Sequence, residues 1–180
     1  MSVSLRHWRW AVALALAFTG PSAGAQGPPL ELAVKAAYVA KFAPFVIWPP
    51  ASFAAPTAPL VLCVQGDDPF DGILDRLTAG ETVGAHPVIV RRLQRLDADS
   101  GCEIAYLAGS PVQSPDAALK AVEGLPVLTV TDADSGGGRG IVHLLLIGGR
   151  VRFTIDVAKA AQSHLGVSSK LLALAIKVKR

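Results

Sequence analysis

Cysteine is scarce in this 180-residue sequence, and its scarcity excludes the chemistry that depends on clustered thiols. Cys63 and Cys102 are the only two, and they lie 39 positions apart without forming a CxxC pair. Structural zinc sites need such pairs, or histidines at close spacing from the cysteines, and neither pattern occurs. The two thiols therefore need another explanation.

Motifs that carry catalysis are also missing. The histidines after residue 25 are His86, His143 and His164, and they show no HxxxH or HxH spacing. No GxSxG elbow marks a serine nucleophile. The glycine-rich residues 136–140 lack the Lys-Ser or Lys-Thr that completes a phosphate-binding Walker loop. The sequence therefore predicts a protein without a catalytic site, a metal or a cofactor.

Long hydrophobic runs are absent as well. A bilayer span needs about twenty apolar residues, whereas the apolar run Ala11 to Phe18 is much shorter. That run follows Arg6 and Arg9 and precedes the small-x-small pattern Ala23-Gly24-Ala25. Residues 1–25 are therefore predicted to be a secretory signal peptide rather than a membrane anchor. Cleavage near Ala25 is expected to leave a soluble, exported domain of residues 26–180.

The sequence also lacks a strong net charge. The chain has 17 Lys and Arg against 14 Asp and Glu, and Arg6 and Arg9 belong to the predicted signal peptide, which leaves 15 against 14. Basic residues form only two groups, one of Arg91, Arg92 and Arg95 and one of Lys177, Lys179 and Arg180. Basic groups this small are typical of a solvated face, and they do not indicate a nucleic-acid partner.

The two cysteines are predicted to form a disulfide. An even count in an exported chain favours pairing because the compartment is oxidising. The alternatives are a pair of metal ligands and a free nucleophilic thiol, and no neighbouring motif supports either.

The order of the predicted elements is typical of a mixed α/β protein. An amphipathic helix is expected over residues 30–48, kinked or shortened by Pro44. Apolar runs predict six strands, and Gly148-Gly149 joins the last two in a hairpin. The strands are expected at 60–64, 87–93, 103–107, 126–131, 141–147 and 150–155.

Further helices are expected where a side-chain oxygen can accept a free backbone N–H group. Asp68 is expected to cap a helix from Pro69 to Gly80, and Ser114 a short helix to Val122. Asp156 is expected to cap one that stops near Gly166, and Ser168 or Ser169 a final one. We expect a single α/β domain with a central mixed sheet of about six strands flanked by helices, and a C-terminal β-hairpin followed by helices.

Two acidic segments raise the question of cation binding. Residues 132–136, Asp-Ala-Asp-Ser-Gly, begin like a calcium loop, but the twelfth position is His143 rather than the required Glu. A turn rich in Asp and Gly is the favoured interpretation. Four aspartates follow the first predicted strand, where open α/β sheets place ligands, but the dipole of the following helix explains Asp68 and Asp71 without a ligand. These four are Asp67, Asp68, Asp71 and Asp75.

Several blocks, in their order and spacing, resemble the YfiR family of periplasmic regulators over nearly the whole of residues 26–180. The early blocks are Lys35-Ala36-Ala37-Tyr38, Phe45-Val46-Ile47-Trp48-Pro49 and Cys63-Val64-Gln65-Gly66-Asp67-Asp68-Pro69-Phe70. The later blocks are Leu128-Thr129-Val130-Thr131-Asp132, Val151-Arg152-Phe153-Thr154-Ile155-Asp156, Ala160-Ala161 and Leu165 to Ala175.

The resemblance implies an α/β domain that acts by binding rather than by catalysis. Its implied target is the periplasmic part of an inner-membrane diguanylate cyclase, YfiN, which it represses. An outer-membrane lipoprotein, YfiB, is implied to sequester the repressor under envelope stress, so that cyclic di-GMP rises and biofilm is favoured. The resemblance also implies homodimers and a family disulfide at Cys63 and Cys102. The chain departs from the best-known member by lacking a second cysteine pair in its later half.

The predicted partner-binding residues lie in the last third of the chain. Arg150 and Arg152 are expected on the wet face of the last predicted strand, and Lys159 and His164 around the helix that follows. The alternative is ordinary solvated surface. Two other functional classes remain open: a small-molecule binding module, suggested by the acidic cluster at a strand end, and an exported hydrolase, for which no nucleophile with its base is visible.

Overall fold

The structure is a computed structural model that describes residues 30–180. The predicted signal peptide, residues 1–25, and its cleavage site lie outside the described residues. Within residues 30–180, no helix is both long and apolar enough to cross a bilayer.

A mixed β-sheet of eight strands forms the centre of the molecule. The spatial order of its strands is β10-β8-β7-β6-β5-β2-β4-β3. Two further short strands, β1 (Val46–Ile47) and β9 (Gly166–Val167), pair separately and antiparallel. The eight strands are β2 (Leu60–Gly66), β3 (Thr82–Val83), β4 (His86–Leu93), β5 (Ile104–Gly109), β6 (Leu128–Asp132), β7 (Val142–Ile147), β8 (Arg150–Asp156) and β10 (Lys177–Lys179).

All six predicted strands are present, and the predicted mixed α/β class is confirmed. Five neighbouring strands of this sheet run parallel, in the spatial order β4-β2-β5-β6-β7. The strands β7 and β8 form the antiparallel hairpin that Gly148-Gly149 predicted. Both glycines adopt positive φ, 55° and 71°, which the tight two-residue turn requires. The sequence did not predict four short strands: β3 and β10 at the edges of the large sheet, and β1 and β9 of the small one.

Five helices accompany the strands in the described part of the chain. They are α1 (Leu30–Lys41), α2 (Ile73–Thr78), α3 (Pro115–Ala121), α4 (Val157–Gln162) and α5 (Ser169–Leu174). The first helix ends before Pro44, which lies in a 3-10 turn at Ala43–Phe45 leading into β1. The expected shortening at Pro44 is therefore confirmed, because proline cannot donate the N–H that a continuing helix needs.

Three of the predicted helix caps are confirmed. The side-chain oxygens of Ser114, Asp156 and Ser168 accept hydrogen bonds from backbone N–H groups in the first turns of α3, α4 and α5. Ser168, rather than Ser169, is therefore the cap of α5.

The prediction that Asp68 caps a helix from Pro69 is wrong. The α2 helix begins only at Ile73, after Gly72 with φ 70°. Asp68 Oδ1 instead accepts the N–H of Phe70 at 2.8 Å, which closes a short turn. The Asp68 side chain therefore bonds to the backbone of a turn that precedes the helix. Aspartate side chains often make such local hydrogen bonds in turns instead of capping a helix.

The prediction that α4 continues to near Gly166 is also wrong. It ends at Gln162, and His164 rather than glycine takes the left-handed conformation that follows, with φ 57°. Gly166 pairs with Ile47 in the small sheet. A Cβ at Gly166 would lie 3.2 Å from the Cβ of Ile47, so this glycine allows a close strand approach rather than a helix end.

The two faces of the large sheet are covered unequally. One face packs against α1 and α2 through a continuous apolar core that includes Val39, Leu74 and Phe153. The other face packs against α3 around Ala105 and Leu107. Beyond β5 this second face turns polar, because one register row carries Thr131, His143, Thr154 and Lys177 across β6, β7, β8 and β10.

Candidate functional site

Arg150 and Arg152 lie on β8, where the structure shows the alternation that the sequence predicted. Val151, Phe153 and Ile155 are buried, and the residues between them are at least partly accessible. Within residues 30–180, neither arginine forms an ion pair with a carboxylate. Two cations are therefore held at the tip of the hairpin by a rigid strand, without an internal partner.

An apolar groove lies beside these arginines, between the start of α1 and the β7–β8 hairpin. Its volume is about 520 Å³. Two of the leucines that line it, Leu30 and Leu146, are 80% and 47% exposed. We call this surface the α1–hairpin groove. It is lined by Leu30, Glu31, Val34, Tyr38, Leu146, Gly149, Arg150, Val151 and Arg152.

The other two predicted partner-binding residues lie elsewhere. Lys159 is in α4, beyond the far end of β8, and a seven-residue strand spans about 20 Å. His164 is exposed in the turn after α4, where its left-handed backbone conformation ends the helix. The structure thus joins Arg150 and Arg152 to one groove and separates Lys159 and His164 from it.

The segment that resembled a calcium loop instead binds a lysine. The Lys35 ammonium lies 2.8 Å from Asp132 Oδ2, 2.6 Å from Asp134 Oδ2 and 2.6 Å from Glu31 Oε1. Lys35 and Asp132 are each only 2% exposed. Tyr106 also donates its hydroxyl to Asp132 at 3.3 Å. The end of β6 and the turn after it therefore anchor α1 to the sheet through an ion cluster in which Lys35 and Asp132 are buried.

The charge state of this cluster follows from its hydrogen bonds. Burial alone would lower the pKa of the Lys35 ammonium, but the hydrogen bonds to Asp132, Asp134 and Glu31 outweigh it and raise that pKa. The hydrogen bond from Lys35 in turn lowers the pKa of Asp134. Lys35 therefore stays charged while buried. Sequence analysis missed its role, although its position on the apolar face of α1, between Leu32 and Val39, was a visible signal.

Arg92, on the neighbouring strand β4, neutralises part of the acidic cluster that follows β2. The Arg92 guanidinium binds Asp68 Oδ2 at 2.9 Å and Asp75 Oδ1 at 2.9 Å. The hydrogen bond from Arg92 lowers the pKa of Asp75 despite some burial. Asp68 and Asp71 precede α2 rather than lying in its first turn, so an ion pair with Arg92, and not the helix dipole, explains Asp68.

The two cysteines are joined. Cys63 on β2 and Cys102 just before β5 form a disulfide with Cα atoms 5.9 Å apart. Both are buried against α3 and its neighbours. Arg91 covers the bridge by donating to the carbonyl oxygens of Ser100 and Gly101.

Two residues of chemically reactive type, His143 and Ser168, make structural contacts. His143 is buried, and its Nδ1 lies 2.9 Å from Thr131 Oγ1. Burial, followed by the positive charge of Arg139, lowers the pKa of His143. Ser168 caps α5. Among residues 30–180 no group of three or more His, Cys, Asp or Glu is arranged to hold a metal ion.

One comparison with known proteins decides the family. A family model described as YfiR/HmsC-like matches residues 32–176, from the first turn of α1 to the residue before β10. The chain belongs to the YfiR/HmsC-like family. This is a family of periplasmic regulators rather than of enzymes. No curated protein matches the chain.

Proposed function

We propose that this YfiR/HmsC-like protein is a repressor that binds the periplasmic part of an inner-membrane diguanylate cyclase of the YfiN type. Binding would hold the cyclase inactive, which lowers cyclic di-GMP and biofilm formation. Membership of a family of periplasmic regulators supports the regulatory role. Export of the chain through cleavage after Ala25 is part of the proposal.

The observation that carries the proposal is the α1–hairpin groove with its two arginines. Contiguous apolar surface rimmed by polar residues is typical of interaction sites, and arginine is enriched among residues that dominate binding energy. Arg150 and Arg152 lie at the rim of the groove without carboxylate partners in the described structure. Charge complementarity therefore predicts a cyclase surface with acidic residues around an apolar centre.

Two further associations belong to the same proposal. An outer-membrane lipoprotein of the YfiB type would sequester the repressor and release the cyclase. A homodimer would present two copies of the groove. Both rest on the family resemblance, and the family match supports a protein partner in general.

Charge reversal at the hairpin tip tests the proposal. The double variant Arg150→Glu/Arg152→Glu should bind the cyclase at least about tenfold more weakly, because it places like charges across the interface. Cyclic di-GMP measured in cells that carry the cyclase should then rise toward the level of a strain without the repressor. Arg95→Glu is the matched control, since Arg95 is an exposed arginine that does not line the groove.

The outcomes separate the surface from the function. If cyclic di-GMP does not change even when the whole gene is deleted, cyclase repression itself is rejected. If deletion raises cyclic di-GMP but the double variant still represses, the groove is not the contact. Lys159→Glu and His164→Glu then test the two remaining candidates.

A further inference from the structure

A second charged site lies at the opposite end of β8, and the sequence predicted that part of it, Lys177 and Lys179, belongs to a solvated face. Four basic side chains surround a pocket of about 230 Å³ there, with a single carboxylate among them. We call it the basic pocket. Its lining residues are Arg139, Gly140, Thr154, Ile155, Asp156, Lys159, Lys177 and Lys179.

Strand pairing places two of the four cations. The β10 strand lies parallel to β8, with Lys177 opposite Thr154 and Lys179 opposite Asp156. Directly paired residues share a face of the sheet, and adjacent strands are about 4.8 Å apart. Lys177 and Lys179 therefore stand on the polar second face, beside the hydroxyl of Thr154.

The other two cations come from a loop and a helix. Lys159, in the first turn of α4, donates from Nζ to the carbonyl oxygen of Arg139. This hydrogen bond holds the lysine ammonium against the glycine-rich loop that carries Arg139. The four cations thus come from three separate parts of the chain: the loop before β7, the start of α4, and β10. The end of β8 supplies the rest of the lining.

The one carboxylate in the pocket is already bound. Asp156 Oδ1 accepts the N–H of Lys159 at 3.0 Å, and Oδ2 lies 3.0 Å from Lys179 Nζ. Burial would raise the pKa of Asp156, but these two contacts outweigh it and lower that pKa, so the carboxylate stays ionised. It offsets one of four positive charges, and in the described part of the chain Arg139 and Lys177 have no carboxylate partner.

We propose that the basic pocket binds a phosphate group. A net excess of three positive charges suits a compact multivalent anion, and arginine and lysine are the usual phosphate donors. The volume is below the 300 to 1,000 Å³ or so of pockets for drug-sized ligands, so it fits the charged group rather than a whole nucleotide. The phosphate could be free in solution or part of a lipid headgroup, and the experiment distinguishes these sources.

The test uses the mature protein and two probes. Inorganic phosphate is titrated at constant ionic strength, with chloride as the comparison, while backbone amide NMR shifts are followed. Vesicles of phosphatidylcholine with and without phosphatidylglycerol are tested by co-sedimentation. The variant Arg139→Gln/Lys177→Gln removes the two unpaired cations, and Arg95→Gln/Lys170→Gln is the charge-matched control with two exposed cations elsewhere.

Saturable phosphate shifts at Thr154 and Lys179 that weaken at least about tenfold in the pocket variant, but not in the control, support a site for free phosphate. Binding only to phosphatidylglycerol vesicles, lost in the same variant, supports a lipid source. No saturable binding to either probe, or equal loss in both variants, overturns the proposal. Arg139 and Lys177 do not line the α1–hairpin groove, so cyclase repression by the pocket variant reports separately on the proposed function.

Discussion

Lys35 is buried and charged at the same time, and the carboxylates around it make this stable. A lone ammonium in a protein interior is very costly, and a buried ion pair is kept only when each charge has well-placed partners. Lys35 has three, contributed by its own helix, by the last residue of β6 and by the turn that follows. Asp132 has no other cation among its contacts in the described structure, so the two groups depend on each other.

Lys35→Met should destabilise the protein by about 3 kcal/mol, because it leaves Asp132 buried without a counter-charge. Urea unfolding at pH 7 measures the change. Lys41→Met is the control. It removes an exposed ion pair in which Lys41 Nζ lies 3.2 Å from Glu81 Oε2. Its loss should lower the unfolding free energy by less than about 1 kcal/mol.

The pH dependence of the same variant gives a second readout. Lys35 lowers the pKa of Asp134 in the folded state, so its contribution to stability is complete above about pH 4 and is lost as the pH falls through the lowered value. Methionine at position 35 removes that contribution. The difference in unfolding free energy between wild type and variant should therefore shrink from pH 7 to about pH 3. A difference that stays constant would show that the cluster is not ionic.

At the scale of elements, capping decides between two neighbouring serines. Ser168 Oγ accepts the Leu171 N–H at 3.3 Å, while Ser169 is the first, exposed residue of α5. Ser168→Ala should cost about 1 kcal/mol, and Ser169→Ala should be nearly neutral. Thermal unfolding of both variants checks this. Equal effects would mean that the cap does not stabilise α5 in solution.

Most elements could be predicted from local patterns, and the failures have identifiable causes. The six long strands carry continuous or alternating apolar runs. Pro44 predicts the end of α1, because a proline cannot continue the helix. The predicted Asp68 cap was wrong because an aspartate side chain suits a turn as well as a helix cap. The edge strand β10 was missed because Lys-Val-Lys has little apolar content, and only pairing with β8 makes it a strand.

At the scale of the whole molecule, the disulfide ties β2 to the segment entering β5. Its loss in Cys63→Ala/Cys102→Ala should lower the unfolding free energy by roughly 3 to 4 kcal/mol, as expected for the entropy of the loop that it closes. Reductant should lower the stability of wild type toward that of the variant and leave the variant unchanged. Alkylation of the exported protein before reduction should label neither thiol, and labelling of both would contradict the bridge.

The candidate site was only half visible in the sequence. Alternation along β8 predicted that Arg150 and Arg152 face away from the core, and they do. The apolar groove beside them could not be predicted, because its other wall is α1, more than one hundred residues earlier. Lys159 was selected for the same surface by proximity in sequence, yet the length of β8 carries it to the other end of the sheet.

The sequence by itself determined the class of fold, the order of the main elements, the caps of α3 and α4, and the family. These follow from local periodicity, turn residues and short motifs, which depend on neighbours along the chain. Only the tertiary structure decided that Lys35 meets Asp132 and Asp134, and that Lys177 and Lys179 stand beside Thr154 and Asp156. Those contacts depend on strand order and register, which bring distant charges together only once the sheet has formed.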